Sequence, residues 1–324
     1  MTNGLKAANS LLDIIGRTPV LRMIPFEKEG VRLYAKLEGF NPTGSIKDRT
    51  ALAMIEAAER KGALKPGMTV VEASSGNTGI GLAMVCNLKG YSLIIVMSKK
   101  ASQERIAMLK AYSAHLVLTS KEGGADEARH TADQIAQSDP KRYCRISQHR
   151  SWDNVEMHYN STAKELIEQV PEPIDHFICG IGTGGTIMGV GRRLRESNPR
   201  VKIIGIHPAE AFSCQEGLRN LDHSILPEIF DRGFPDQIIQ IPDKEAVATT
   251  RKIVGSLGLF CGVSSGSVLC GALKLMQKGV KGVIAVIFPD RGEKYLSTPL
   301  YLCDKTKEPK EAISVEREPS IVSA

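Results

Sequence analysis

The chain reads as an α/β protein of two subdomains, each a mostly parallel twisted sheet flanked by helices. Three observations carry that reading. Short apolar, β-branched runs alternate with helical patterns along most of the sequence, as they do where helices cross over between parallel strands. The runs are near-continuous in apolar character, as in KIIGIHP and GVIAVIFPD, which is how strands read when both sheet faces are covered. Around residues 140–155 the stretch SDPKRYCRISQHRSWDN interrupts the pattern with polar residues and the single Trp. The expected division is residues 1–150, residues 151–303 and a charged, Pro-interrupted tail, 304–324, expected to be mobile. The first strands remain free to pack on the second unit.

Taken in order, the expected strands are RLYAKLE, TVVEAS, SLIIVMS, HLVLTS, DHFICG, KIIGIHP, QIIQIP and GVIAVIFPD. Between them, the 3.6-residue period of apolar positions marks ALAMIEAAERKG, GIGLAMVCNLKG, SQERIAMLKAYS, ADEARHTADQIAQ, STAKELIEQV, TIMGVGRRLRES and EAVATTRKIVGSLG as helices.

Composition narrows the function classes. With 324 residues, 42% hydrophobic and 24% charged, the chain can bury a large core. Net charge is +6. It is spread along the chain without a basic block interleaved with aromatics, so nucleic acid is not an expected partner. The excess does suit small anionic ligands. No apolar run reaches the length of a membrane span, and MTNGLKAANSLLDIIG lacks the form of a signal peptide. The seven cysteines are odd in number and lack C-x-x-C spacing. They read as free thiols of a cytoplasmic protein.

Four turns carry the candidate chemistry. In GFNPTGSIKDRT, Pro42 and Gly44 signal a tight loop, Thr43 and Ser45 are available as helix caps, and Lys47 falls in the first helical turn. A cation is disfavoured at a helix N-terminus. Lys47 therefore reads either as a solvated surface lysine or as an easily deprotonated amine of the kind that forms Schiff bases. In CGIGTGGTIMGVGRRL, Gly182, Gly184 and Gly185 allow close approach of a ligand. The N–H groups of Thr183 to Thr186 open a helix, as in a phosphate cup. Gly180-x-Gly182-x-x-Gly185 also matches a dinucleotide fingerprint, but the next strand, VKIIGI, ends in His207 and Pro208 without the ribose-binding acid. In EASSGNTGIGLAM, Ser74, Ser75, Gly76, Asn77 and Thr78 read as a carboxylate-binding loop or as an ordinary capped helix start. In FCGVSSGSVLCGAL, Gly262, Ser264, Ser265 and Gly266 are expected at a further strand-to-helix turn. Together the turns suggest a site for a ligand bearing a phosphate, with a second anion beside it.

NPTGSIKDR, SSGNTG, GIGTGGT and GVSSG, in this order and spacing, resemble the cysteine synthase family of pyridoxal-phosphate enzymes, over about residues 10–300. The resemblance implies the tryptophan synthase β-like fold (fold type II), bound pyridoxal 5′-phosphate and a homodimer. It implies that Lys47 is the Schiff-base lysine and general base and that Asn77 meets the cofactor's 3′-hydroxyl. Gly182, Thr183, Gly184, Gly185 and Thr186 would hold its phosphate, and Ser264 its pyridine nitrogen. Ser74, Ser75, Gly76, Thr78 and Gln148 would bind the substrate carboxylate. A serine does not keep the ring nitrogen protonated as a carboxylate would, so β-replacement is favoured over transamination. The implied reaction joins an activated L-serine to a sulfur nucleophile through an aminoacrylate, giving L-cysteine.

Two segments depart from the commonest O-acetylserine enzymes. Gln148 is followed by HRSWDN in place of an Asn-Pro segment, and EGLRNLD stands where those enzymes have a glycine-rich closing segment. The second resembles the O-phosphoserine-dependent subgroup, in which an arginine at the position of Arg219 receives the substrate's phosphate. O-phosphoserine is thus the favoured first substrate, with O-acetylserine as the other. Sulfide, thiosulfate and a thiocarboxylate on a sulfur-carrier protein remain open as the sulfur source, and β-replacement with an amine (diaminopropionate-type) or with another thiol such as homocysteine (cystathionine β-synthase-like) is the alternative reaction. A pyridoxal-phosphate-binding regulatory protein is disfavoured, because Lys47, Asn77 and Ser264 are all present. His149 and Arg150 face either the second substrate or solvent.

Overall fold

The computed structural model describes residues 7–99, 101–120, 122–298, 300 and 301; the tail expected at 304–324 lies outside them. The strands of the described residues are β1 (Val20–Arg22), β2 (Val31–Leu37), β3 (Thr69–Ala73), β4 (Ser92–Ser98) and β5 (His115–Thr119), followed by β6 (Tyr143–Arg145), β7 (His176–Gly180), β8 (Lys202–Pro208), β9 (Gln237–Ile241) and β10 (Gly282–Phe288). The helices are α1 (Lys47–Arg60), α2 (Asn77–Lys89), α3 (Gln103–Ala111), α4 (Gly124–Ser138), α5 (Asp153–Met157), α6 (Ala163–Gln169), α7 (Gly185–Ser197), α8 (Asp243–Leu257) and α9 (Val263–Gln277).

The strands form two sheets, one in the order β1-β2-β10-β7-β8-β9 and one in the order β5-β4-β3-β6. All pairings are parallel except β1 with β2. The expected class, mostly parallel sheets flanked by helices, is what the chain adopts. β1 and β2 belong to the larger sheet, where β2 pairs with β10 in register from Val31↔Gly282 to Leu37↔Phe288.

Burial explains why these strands lack polar alternation. In β10, Ile284, Val286 and Phe288 enter one apolar cluster, whereas Val283, Ala285 and Ile287 enter another on the opposite face. β2 splits likewise, with Leu33, Ala35 and Leu37 on one side and Tyr34 on the other. The smaller sheet is covered the same way, Val70 and Ile95 on one face and Val71 and Val96 on the other. A strand buried on both faces has no face left to carry polar residues.

Three expectations are corrected. β1 and β6 were not among the expected strands; at three residues each they are too short for a hydrophobic period to register. β6 lies inside the polar stretch read as a break. The helix expected at STAKELIEQV begins earlier, at Asp153, and passes through a π-helical turn, His158–Thr162, before α6. The segment before GVSSG is not a strand. Cys261 makes only an isolated bridge to Arg291, so the turn joins α8 to α9. Of the cysteines, Cys86, Cys144, Cys179, Cys214, Cys261 and Cys270 are free thiols. Of these six, Cys144 and Cys179 lie in strands.

Candidate active site

The site forms at the carboxyl ends of β2, β3, β7 and β10, where loops of open parallel sheets converge. Lys47 follows β2 and opens α1. The chain holding it is fastened to the segment after β10: the Ile46 N–H donates to the Pro289 carbonyl at 2.8 Å, and Ser45 bridges to Asp290. The expected side-chain cap is absent. Ile46 occupies the N-cap position. The Thr43 hydroxyl donates to the Asp48 carboxylate, and the Thr43 N–H donates to it at 2.7 Å. The Ser45 hydroxyl only accepts a 3.3 Å bond from the Lys47 N–H. Burial pushes the Lys47 amine down to about 8, against the opposing pull of Asp290 and Cys179. The dipole of α1 has the same sign of effect.

Lys47, Asn77, Gly182, Thr183, Gly184, Thr186 and Ser264 line one cavity, together with Asp290, which the sequence reading missed. Gly185 does not line it. Gly185 starts α7 with its Cα turned toward the Asn154 side chain. Gly184 precedes α7 with φ +87°, a left-handed conformation that suits glycine. A methyl at this position would also lie 2.5 Å from the Phe230 Cβ. The turn therefore presents bare backbone and the first N–H groups of a 13-residue helix, of which the Gly185 N–H makes a long 3.4 Å bond to Thr183 Oγ1.

This inner cavity opens into a cleft of about 530 Å³ with which it shares Lys47, Asn77, Gly182 and Thr183. Ser74, Ser75, Gly76, Thr78, Gln148 and Arg219 all line the cleft. The Thr78 hydroxyl donates to Gln148 Oε1 at 2.6 Å, so the Gln148 amide is left to donate through its NH₂ group. The two unassigned residues separate. His149 lines the cleft, and burial together with Arg219 and Arg129 holds its imidazole down to about 3, hence neutral. Arg150 is exposed and pairs with Glu228 at 2.9 Å.

Sequence reasoning missed the residues that tie these loops together. Asp290 Oδ2 accepts from Asn77 Nδ2 at 2.7 Å and from the Tyr295 hydroxyl at 2.6 Å. A carboxylate just past the carboxyl end of an apolar strand was the signal available for it. Asn154, fully buried, donates to the Gln148 carbonyl and to Thr183 Oγ1, each at 3.1 Å. It thereby links the Gln148 loop to the glycine-rich turn. His158, in the π-helical turn, bonds Thr162 at 2.9 Å and Thr186 at 3.2 Å. Neither Asn154 nor His158 stands out in the sequence, because each acts from within a helix.

Pyridoxal phosphate fits this arrangement. The left-handed Gly184 and the α7 N-terminus form a cradle for a phosphate. Asn77 Oδ1 and Asp290 Oδ1 are buried without a hydrogen-bond partner, as polar atoms awaiting a ligand would be. Ser264, 2% exposed, presents a hydroxyl to the same space.

Comparison with known proteins agrees. The family model for pyridoxal-phosphate dependent enzymes matches residues 11–290. Cysteine synthase B of Pseudomonas aeruginosa is 42% identical over 294 residues, covering 90% of this chain and 97% of that protein. Among solved structures, an O-ureido-L-serine synthase superposes with a TM-score of 0.88 at 35% identity, covering 94% of this chain and 98% of its own. The cysteine synthase of Entamoeba histolytica does so with a TM-score of 0.87 at 32% identity, covering 94% and 93%. The chain belongs to the cysteine synthase family of pyridoxal-phosphate-dependent enzymes.

Proposed function

We propose that this enzyme makes L-cysteine by β-replacement on O-phospho-L-serine with a small sulfur nucleophile. The carrying observation is the state of Arg219. Its side chain lines the cleft beside Ser74–Thr78, its Nε is buried without a partner, and its one side-chain hydrogen bond among the described residues runs from Nη1 to the Ile225 carbonyl at 3.3 Å. It makes no ion pair among the described residues. A guanidinium in this state is matched by a phosphate ester, to which it can give two charge-assisted bonds. An acetate ester brings no charge to pair with it.

The remaining roles follow from chemistry. When bound, pyridoxal phosphate supplies an aldehyde to capture amines and an electron-withdrawing ring that acidifies the substrate Cα–H. Gly182–Thr186 would receive the cofactor phosphate on backbone N–H groups and the Thr183 and Thr186 hydroxyls, with Asn154 and His158 holding those two hydroxyls. Asn77, oriented by Asp290, would meet the cofactor's 3′-hydroxyl, and Ser264 its ring nitrogen. The hydroxyl of Ser264 does not hold that nitrogen protonated, which favours departure of a β-substituent. Ser74, Ser75, Gly76, Thr78 and Gln148 would bind the substrate carboxylate. Lys47, its amine easily freed of a proton, would take the Cα proton and later return it.

The test is kcat/KM for O-phosphoserine and O-acetylserine with one fixed sulfur nucleophile, in wild type and Arg219→Ala. Losing a charge-assisted contact of this kind costs about 2–4 kcal/mol, so the variant is expected to lose roughly 30- to 1,000-fold with O-phosphoserine. Its activity with O-acetylserine should change little. A wild type that prefers O-acetylserine, or a variant that loses both activities equally, rules this substrate assignment out.

A further inference from the structure

Arg129 is the feature of the cleft that the cofactor and the substrate carboxylate leave unused. It stands in the second turn of α4 and lines the same cleft as Arg219 and His149. Its Nη2 pairs with Asp126, one turn back, at 2.9 Å. That carboxylate is largely exposed, so the pairing is weak and leaves the guanidinium free to engage a second anion. Arg105, the other arginine of the cleft, has its charge matched within the cleft by an ion pair with Glu216 and lies over the Tyr295 ring, 5.4 Å away, although its Nε is unpartnered.

Two guanidinium groups that share a partly desolvated wall repel each other. Here Arg129 bears directly on Arg219: burial, and then Arg129, push the Arg219 guanidinium below its ordinary value. Asp126 offsets this only in part, and no described carboxylate reaches Arg219 as an ion pair. His149 lines the same cleft, with Nδ1 buried and unpartnered. A neutral imidazole in that place offers an N–H without adding charge. Two cations lining one solvent-filled space, with a neutral imidazole beside them, match a tetrahedral dianion better than they match a carboxylate, whose two oxygens one arginine can satisfy.

We propose that Arg129 completes, with Arg219 and His149, a two-arginine dianion site that grips the phosphoryl group of the first substrate. The inference rests on the proposed use of O-phosphoserine for the identity of the ligand, but the site can be tested without turnover. The probe is inorganic phosphate, titrated calorimetrically into the cofactor-loaded enzyme so that the cofactor's own phosphate turn is filled. Arg129→Gln and Arg219→Gln should each weaken phosphate binding by roughly 10- to 100-fold. The double variant should lose less than the product of the two, because both contact one ligand. Asp126→Asn, which frees Arg129 from its competing carboxylate, should tighten binding several-fold, and lost folding cannot mimic that gain. Circular dichroism and the visible absorbance of bound cofactor verify that each variant is folded and loaded.

Unchanged phosphate affinity in Arg129→Gln overturns the inference, as does a wild type that shows no saturable binding. If only Arg219→Gln weakens binding, Arg129 has no part in the site while the O-phosphoserine reading stands. If phosphate binding depends on Arg129 but the enzyme prefers O-acetylserine as donor, the substrate reading falls and the anion site stands.

Discussion

Lys47 shows how one side chain gains its chemistry from its surroundings. An ordinary lysine holds its proton to 10.5, and burial brings this one down to about 8. In cofactor-free protein, the rate at which pyridoxal phosphate is taken up should therefore rise with pH and level off above about 8, because only the neutral amine attacks an aldehyde. Stopped-flow visible absorbance measures this. A rate still climbing steeply toward 10.5 would show that the amine is not desolvated. Lys47→Ala should lose the cofactor linkage and drop kcat by roughly 1,000-fold or more, since no other amine of the described residues lines the cavity to move the Cα proton. Full turnover by purified Lys47→Ala would remove Lys47 from the mechanism.

At the scale of elements, the glycine-rich turn between β7 and α7 is the most constrained piece of the site. Gly184 adopts φ +87°, and its Cα faces Phe230. At Gly182 an added methyl would collide with the Gly217 carbonyl oxygen. Gly184→Ala should cost at least about 1–2 kcal/mol from the backbone conformation alone. The Phe230 contact adds to that, and the turn should open and weaken cofactor affinity. Thermal melts with and without added cofactor check this. An unshifted melting temperature and unchanged affinity would mean that the turn tolerates a side chain. The turn was legible in the sequence because glycine spacing states a backbone requirement directly. The start of α1 was not: Thr43 bonds Asp48 in place of capping the helix, and several partners satisfy a hydroxyl equally well.

At the scale of the whole molecule, the first strands and α1 are locked to the segment leading into β7 by a buried charge network. Arg49, 3% exposed, bonds Glu38 at 2.8 Å and Glu165 at 2.6 Å, and the fully buried Lys36 reaches Glu165 at 2.9 Å. Removing one member of such a network strands the others without compensation. Arg49→Ala should therefore destabilise the protein by about 3–5 kcal/mol, as read from the urea midpoint at unchanged m-value. A loss under about 1 kcal/mol would mean that the charges are solvated in the native state. Across the cleft, the smaller sheet's α3 meets the larger unit through Arg105 with Glu216 and Glu104 with Ser297.

The sequence by itself determined the fold class and, through the resemblance its four turns carry, the cofactor and the family. Apolar runs buried on both faces, glycines at forced backbone positions and a lysine at a helix start are local requirements, and a local requirement is written in consecutive residues. The tertiary structure decided the rest. It drew β1 and β2 into the larger sheet, hid β6 in a polar stretch, set Asp290 behind Asn77 and Asn154 behind Thr183, and brought Arg129 and Arg219 into one cleft. Asn77 and Asp290 are 213 positions apart and Asn154 and Thr183 are 29 apart. Such pairings leave no periodic trace, because what selects each residue is a partner brought to it only by the packing of the sheets.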